Sequence, residues 1–185
     1  MKSAKLTYFV HGTTTDNENG ISTGWNQGSL SKLGIEQSIK LKALVKARFD
    51  VAFCSDLKRA VDSASLTFGE SVRIVQDKRI RECNYGDLNG AKSEVVEPLS
   101  FKSISNPFSK GESYTDVEKR VRGFLEDVLN NYLGKHVAVV GHKAPQLALE
   151  VILNGKTWEQ AMQEDWRLKR PPEWRAGWEF RIGRP

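Results

Sequence analysis

Apolar residues in this chain fall into short continuous runs and helical stripes, and the two alternate. Lys5 to Val10 is rich in β-branched and aromatic residues, which predicts a first strand. A polar, glycine-containing loop follows from Gly12 to Ser29. Ile35, Ile39, Leu41, Leu44 and Val45 then recur at helical spacing, so an amphipathic helix is predicted from Ser31 to about Arg48, with Ser31 near its N-cap. Val51 to Cys54 is a short apolar run of the kind found in strands covered on both faces. Ser55-Asp56 would cap a helix over roughly Leu57 to Phe68. Val72 to Val75 reads as a third strand.

Periodicity is lost between Cys83 and Ser113, a stretch rich in Gly, Asn, Ser and Pro. Long excursions of this kind in compact domains are more often functional than accidental. Order returns at Thr115, where Thr115-Asp116-Val117-Glu118 has the form of a capping box. Behind it, Val117, Val121, Phe124, Leu125, Val128, Leu129 and Tyr132 mark one helix face. A strand over His136 to Val140, a helix from about Pro145 to Leu153 and a second capping box at Thr157 to Gln160 come next. The segment from Pro171 to Phe180 reads as a loop and a final strand. Strands alternating with helices imply a three-layer α/β/α sandwich with a mostly parallel central sheet. With no repeat or linker, residues 1–185 are expected to form one domain, with an excursion near 83–113 and a Trp-rich C-terminal segment at 156–185.

Composition narrows the class. Hydrophobic residues are 39% and charged residues 28%, which fits a globular chain. The formal charge of +5 favours anionic ligands, or is a basic surface kept for solubility. No Lys/Arg block with interleaved aromatics argues for nucleic acid, and no run approaches the ~20 apolar residues that cross a bilayer. Neither a nucleic-acid nor a membrane partner is expected. Cys54 and Cys83 are far apart and read as free thiols of a reducing compartment. The N-terminal apolar run is too short for a signal peptide, so a cytoplasmic location is expected.

The chemistry concentrates at strand ends. Two of the three histidines sit directly after predicted strands, in His11-Gly12 and in Gly141-His142. Ligands of open α/β sheets bind outside the carboxyl ends of the strands, so two imidazoles delivered there point to one shared site. Arg59, early in the helix after the Val51 strand, would reach the same edge and offers a bidentate fork to phosphate. Its plainer alternative is a surface residue paired with Asp56 or Asp62. Glu82 precedes the excursion; a carboxyl group beside a phosphate suits a general acid, and otherwise it pairs with Arg79 or Arg81.

Taken in order, His11-Gly12 with Thr14 and Asn17, Thr23-Gly24-Trp25, Leu30-Ser31 with Gly34, Ser55 to Ala60, Glu82 with Tyr85-Gly86, Leu88 and Gly90, Gly111-Glu112-Ser113 and Gly141-His142 form a specific set. The set resembles the histidine phosphatase superfamily, also called phosphoglycerate-mutase-like, over nearly the whole chain to about residue 153. That resemblance implies ping-pong phosphoryl transfer from a small phosphorylated substrate. His11 would be the nucleophile, Glu82 the general acid and base, and His142 an oxyanion partner. Arg59, Asn17 and Gly12 would hold the phosphoryl oxygens. Thr23, Gly24 and Tyr85 would meet the rest of the substrate. No cofactor or metal is implied, and the histidines have no spaced cysteines to build a metal site.

One position departs from the family pattern. Arginine normally precedes the nucleophilic histidine, and here that residue is Val10. Losing one preorganised donor costs ~10²–10³ in rate. Lys143, beside His142, is the first candidate to replace the cation and Arg79 the second.

The expected activity is phosphomonoester hydrolysis. A phosphoglycerate-mutase-type phosphotransferase is the nearest alternative, favoured by Thr23-Gly24-Trp25. It is disfavoured by the short span between Glu82 and His142 and by the lack of an Arg-Arg pair in Phe101 to Lys110. A weakly active or non-catalytic phospho-ligand binder is the third reading, motivated by Val10 and opposed by the retention of His11 and Glu82. Cys54 and Arg59 are one residue too close for a cysteine phosphatase loop, and Gly155-Lys156-Thr157 lacks the first glycine of a Walker A loop. Trp158, Trp166, Trp174 and Trp178 crowd the C-terminus. They read as a satellite hydrophobic cluster, or as a lid whose Arg167, Lys169, Arg170 and Arg175 face an anionic substrate.

Overall fold

In the computed structural model, which describes residues 3–169 and 175–183, the chain runs β1 (Ser3–Val10), α1 (Thr15–Glu18), β2 (Ile21–Ser22), α2 (Lys32–Leu44), β3 (Val51–Cys54), α3 (Lys58–Phe68) and β4 (Ile74–Gln76). It continues through β5 (Ala91–Lys92), α4 (Ser93–Val96), α5 (Tyr114–Asn131), β6 (His136–Gly141), α6 (Lys143–Asn154), α7 (Trp158–Gln163) and β7 (Trp178–Gly183). The central sheet has the order β4-β3-β6-β1-β7. Its first four strands are parallel and β7 closes the β1 edge antiparallel, so the mostly parallel α/β sheet is as expected.

Strand alternation distributes the core to both faces. Leu6, Tyr8, Val137 and Val139 pack with α5 and α6, among them Val117, Val121, Phe124 and Leu147. Phe9, Ala52, Cys54, Ala138 and Val140 face the other way, against Leu41 of α2 and Ala60, Ala64 and Phe68 of α3. These are the three layers, and continuous apolar strands are what a sheet covered on both faces requires.

Several local expectations change. The N-cap of α5 is Ser113, not Thr115: Ser113 Oγ accepts the Asp116 N–H, and the Asp116 carboxylate accepts the Ser113 N–H. The α3 cap is Leu57, with no side-chain cap bond; Ser55 Oγ meets His142 Nε2 and the Leu57 N–H, and Asp56 pairs with Arg81. The third strand begins two residues later than expected, and helix α6 begins at Lys143, directly after His142. Within the excursion, β5 pairs antiparallel with β2, Ile21 opposite Lys92 and Ser22 opposite Ala91, and so ties the first loop to the excursion.

The expected stripe of α2 is the clearest revision. Ile35, Ile39 and Leu44 of that stripe are exposed; Leu41 is buried as expected, and the other buried positions are Gly34 and Ser38. The helix approaches the chain after β1 so closely that a Cβ on Gly34 would lie 1.9 Å from the Thr13 carbonyl oxygen. Contact at that range admits only small residues, so the small face is the inner one. Part of the final segment expected as loop, residues 170–174, lies outside the described residues, and Trp174 with it.

Candidate active site

Register brings the two histidines together. Val10 pairs with Gly141 across the β1–β6 ladder, and the His11 N–H donates to the Gly141 carbonyl at 3.1 Å. The two imidazole centroids lie 5.0 Å apart. Tyr8, one turn of the pleat back, fixes the second strand end: its hydroxyl donates to the His142 carbonyl at 2.7 Å and accepts the His142 N–H at 2.6 Å. Burial holds the Tyr8 phenol protonated by pushing its pKa well up.

The ring of His11 has a defined tautomer. Nδ1 lies 2.7 Å from the Gly12 carbonyl oxygen, which can only accept, so Nδ1 carries the proton and Nε2 the lone pair. Burial first, and the Arg59 charge second, lower His11 to about 3, against the raising effect of the Gly12 carbonyl. A neutral imidazole with one nitrogen occupied is the state a nucleophile needs. Gly12, expected to bind phosphate, does not line the cavity. Its N–H donates to Ser63 Oγ at 2.9 Å, and a Cβ there would meet the Gly34 carbonyl at 2.3 Å. Its role is close packing against α2.

His142 is fully buried, and its Nε2 is 2.6 Å from Ser55 Oγ. Its Nδ1 is buried without a hydrogen-bond partner, a polar atom without the bond that burial normally demands. Burial, then Arg59 and His11, push its pKa well below the ordinary histidine value.

Glu82 is held by main chain. Oε1 accepts the N–H groups of Cys83 at 2.9 Å and Ala144 at 3.0 Å, and Oε2 accepts that of Lys143 at 3.1 Å. The carboxylate therefore sits on the N-terminus of α6, where free N–H groups and the helix dipole favour negative charge. Two N–H groups fill both acceptor positions of Oε1, while Oε2 accepts one and keeps one position open toward a ligand. Neither Arg79 nor Arg81 pairs with it: Arg81 forms an ion pair with Asp56, and Arg120 donates to the carbonyls of Arg79, Arg81 and Glu82, fixing the turn that carries Glu82.

Arg59 is buried, with Nη2 donating to the Gly24 carbonyl at 2.8 Å and Nη1 to that of Asn26 at 2.8 Å. It pairs with neither Asp56 nor Asp62; Asp62 takes Lys58. Gly24 holds a left-handed φ of 54°, and a Cβ there would stand 1.9 Å from Asn89 Oδ1. Thr23 Oγ1 donates to Asp16 at 2.8 Å, and Asn17 Oδ1 accepts the Thr14 N–H at 3.0 Å. Residues Val10, His11, Asn17, Thr23, Gly24, Arg59, Glu82, Tyr85, His142 and Lys143 all line one cavity of about 420 Å³.

Of the two candidate replacement cations, Lys143 lines this cavity, its Nζ 3.9 Å from Asp165 Oδ2. Arg79 does not, because its guanidinium is bound to Asp77 and Asp127 beneath α5. Sequence reasoning gave Tyr8 and Arg120 no part in the site and read Ser55 only as a cap and within the motif set; their contacts join distant segments, and Glu112, the Arg120 partner, stood in the quoted Gly111-Glu112-Ser113 motif. Burial pushes the Cys54 thiol up to about 12, which removes it as a nucleophile. Among the described residues no group of His, Cys, Asp and Glu could hold a metal ion, and no helix is long and apolar enough to cross a membrane.

A strand-end pair of imidazoles, an arginine and a carboxylate thus surround one cavity. Residues 8–172 match the model of the histidine phosphatase superfamily (branch 1), and the chain belongs to that family. It is 31% identical to phosphoserine phosphatase 1 of Hydrogenobacter thermophilus over 161 residues, covering 82% of this chain and 76% of that protein. It is 30% identical over 178 residues to the 2,3-bisphosphoglycerate-dependent phosphoglycerate mutase of Rhizobium meliloti, covering 87% and 84%. Among solved structures, the alpha-ribazole phosphatase of Shigella flexneri superposes with a TM-score of 0.76 at 23% identity, covering 86% of this chain and 84% of that one, a likeness of fold.

Proposed function

We propose that this protein hydrolyses small phosphomonoesters through a phosphohistidine on His11. The observation that carries the reading is the His11 tautomer, with Nδ1–H on the Gly12 carbonyl and Nε2 as the lone pair beside Arg59, His142 and Glu82. In the first half-reaction Nε2 attacks phosphorus, the bond to the ester oxygen breaks, and a proton from Glu82 goes to the departing alkoxide. In the second, water attacks phosphorus, the P–N bond breaks, and Glu82 takes the water proton. Arg59 and His142 stabilise the equatorial oxygens. Asn17 is the further phosphoryl contact, and Thr23, Gly24 and Tyr85 face the alcohol part.

Phosphate release from p-nitrophenyl phosphate tests this. Wild type turns over and His11→Asn does not, and an acid-labile, alkali-stable phosphoenzyme is trapped only in the former. The relative from Rhizobium meliloti supports a second reading, a phosphoglycerate mutase. Incubation with 3-phosphoglycerate separates the two: a hydrolase yields glycerate and phosphate, a mutase yields 2-phosphoglycerate.

A further inference from the structure

Among the described residues, three lysine or arginine side chains line the cavity: Arg59, Lys143 and Arg167. Arg59 reaches it from the start of α3, braced by two loop carbonyls, and the Lys143 ammonium stands 3.9 Å from Asp165 Oδ2. At the end of β1, Val10 contributes an apolar wall with no charge. Arg167 arrives from outside the sheet, in the turn Trp166–Leu168.

Arg167 rests on a built platform. Its Nη1 donates to Asp165 Oδ1 at 2.9 Å and its Nη2 to Gln146 Oε1 at 2.7 Å, and both acceptor residues are 3% exposed. Its guanidinium lies over the Trp166 ring at 4.5 Å, and that ring stacks on Trp178 with centroids 5.2 Å apart. A cation fixed by buried acceptors and an aromatic face is preorganised, its orientation settled before ligand arrives. Its charge is felt across the cavity, where it contributes to the lowering of both His11 and His142.

We propose that Arg167 is a phosphoryl-binding residue, supplying from the C-terminal segment the cation that the end of β1 lacks. The proposal rests on the phosphatase reading above and deepens it. Binding of inorganic phosphate to the full-length protein, measured by calorimetry, is the first readout, and kcat/KM for p-nitrophenyl phosphate is the second. Arg167→Gln is expected to weaken phosphate binding and to lower kcat/KM on the order of 10²-fold, the effect of one preorganised donor. Val10→Arg in the Arg167→Gln background is expected to regain part of that loss, which a merely structural role would not allow. Phosphate affinity and kcat/KM unchanged in Arg167→Gln overturn the proposal and leave the phosphatase reading standing. Wild type that binds phosphate yet hydrolyses nothing overturns the phosphatase reading, while the binding comparison still decides Arg167. Wild type that binds no phosphate overturns both. If Arg167→Gln fails to fold, Arg167→Lys carries the test: it keeps the charge without the planar fork, a partial loss supports the proposal, and wild-type values overturn it.

Discussion

His11 donates Nδ1–H to a carbonyl, while His142 lies against Ser55 with its other nitrogen buried and unpartnered. Both imidazoles are held neutral in the fold, and this fixes a pH dependence. An unfolded histidine takes up a proton near pH ~6.5. Folded His11 resists until about 3, so the unfolded state binds more protons between those values. Stability is therefore full above pH ~6.5 and falls as pH drops through this window. Urea unfolding across the range is expected to show a shallower decline for His11→Asn than for wild type. Ser55→Ala strips His142 Nε2 of its partner; leaving a buried group unsatisfied costs about 1–3 kcal/mol. Urea denaturation at neutral pH checks that loss, accompanied by a fall in kcat. His11, His142, Arg59 and Glu82 were legible because each stands beside a strand end or opens a loop. Tyr8 was not, since its partner is 134 residues away and nothing local to an apolar strand marks one hydroxyl as structural.

Elements were read well in kind and order, less well in the direction they face. Helix α2 shows why: periodicity identifies a stripe, but close approach to Thr13 selects the Gly34–Ser38 side as the inner one. Gly34→Ala gains helix propensity of about 1 kcal/mol yet forces a methyl into backbone, and overpacking of this sort costs about 1–3 kcal/mol or more. Net destabilisation with reduced turnover is expected, because the displaced backbone is continuous with His11. By contrast Ile39→Gln, on the exposed side, is expected to shift stability by no more than about 0.5 kcal/mol. Thermal melts of the two variants give opposite answers if the expected stripe were the true inner face. The α5 cap was misplaced because Thr115-x-x-Glu118 has the sequence form of a capping box, whereas the reciprocal bonds run between Ser113 and Asp116.

At the scale of the whole molecule, the Trp-rich segment proves to be more than a cover. Strand β7 is a sheet member paired along β1 from Ser3–Gly183 to Tyr8–Trp178, and Phe180, Ile182 and Trp158 are buried. Truncation after Gly155 is therefore expected to give insoluble or unfolded protein, seen by size-exclusion chromatography, because it uncovers the edge of the strand that carries His11. A final strand was legible in the sequence, but not its antiparallel place along β1, since nothing local to it marks which strand it joins. The pairing of β2 with β5 was equally hidden, two residues on each side being too few to mark a strand.

The Tyr8 hydroxyl, bonded to both main-chain groups of His142, has one more consequence. It couples the two strands that carry the imidazoles independently of anything lining the outer cavity. The outer wall comes from another stretch of chain, with Ser93, Val96, Glu97 and Ser100 following β5. On the proposed hydrolase reading, chemistry and selectivity fall to separable parts of the sequence. Substitutions in the 93–100 stretch can retune which phosphate ester is accepted while the reacting edge keeps its spacing, which is the condition under which one scaffold diversifies into many.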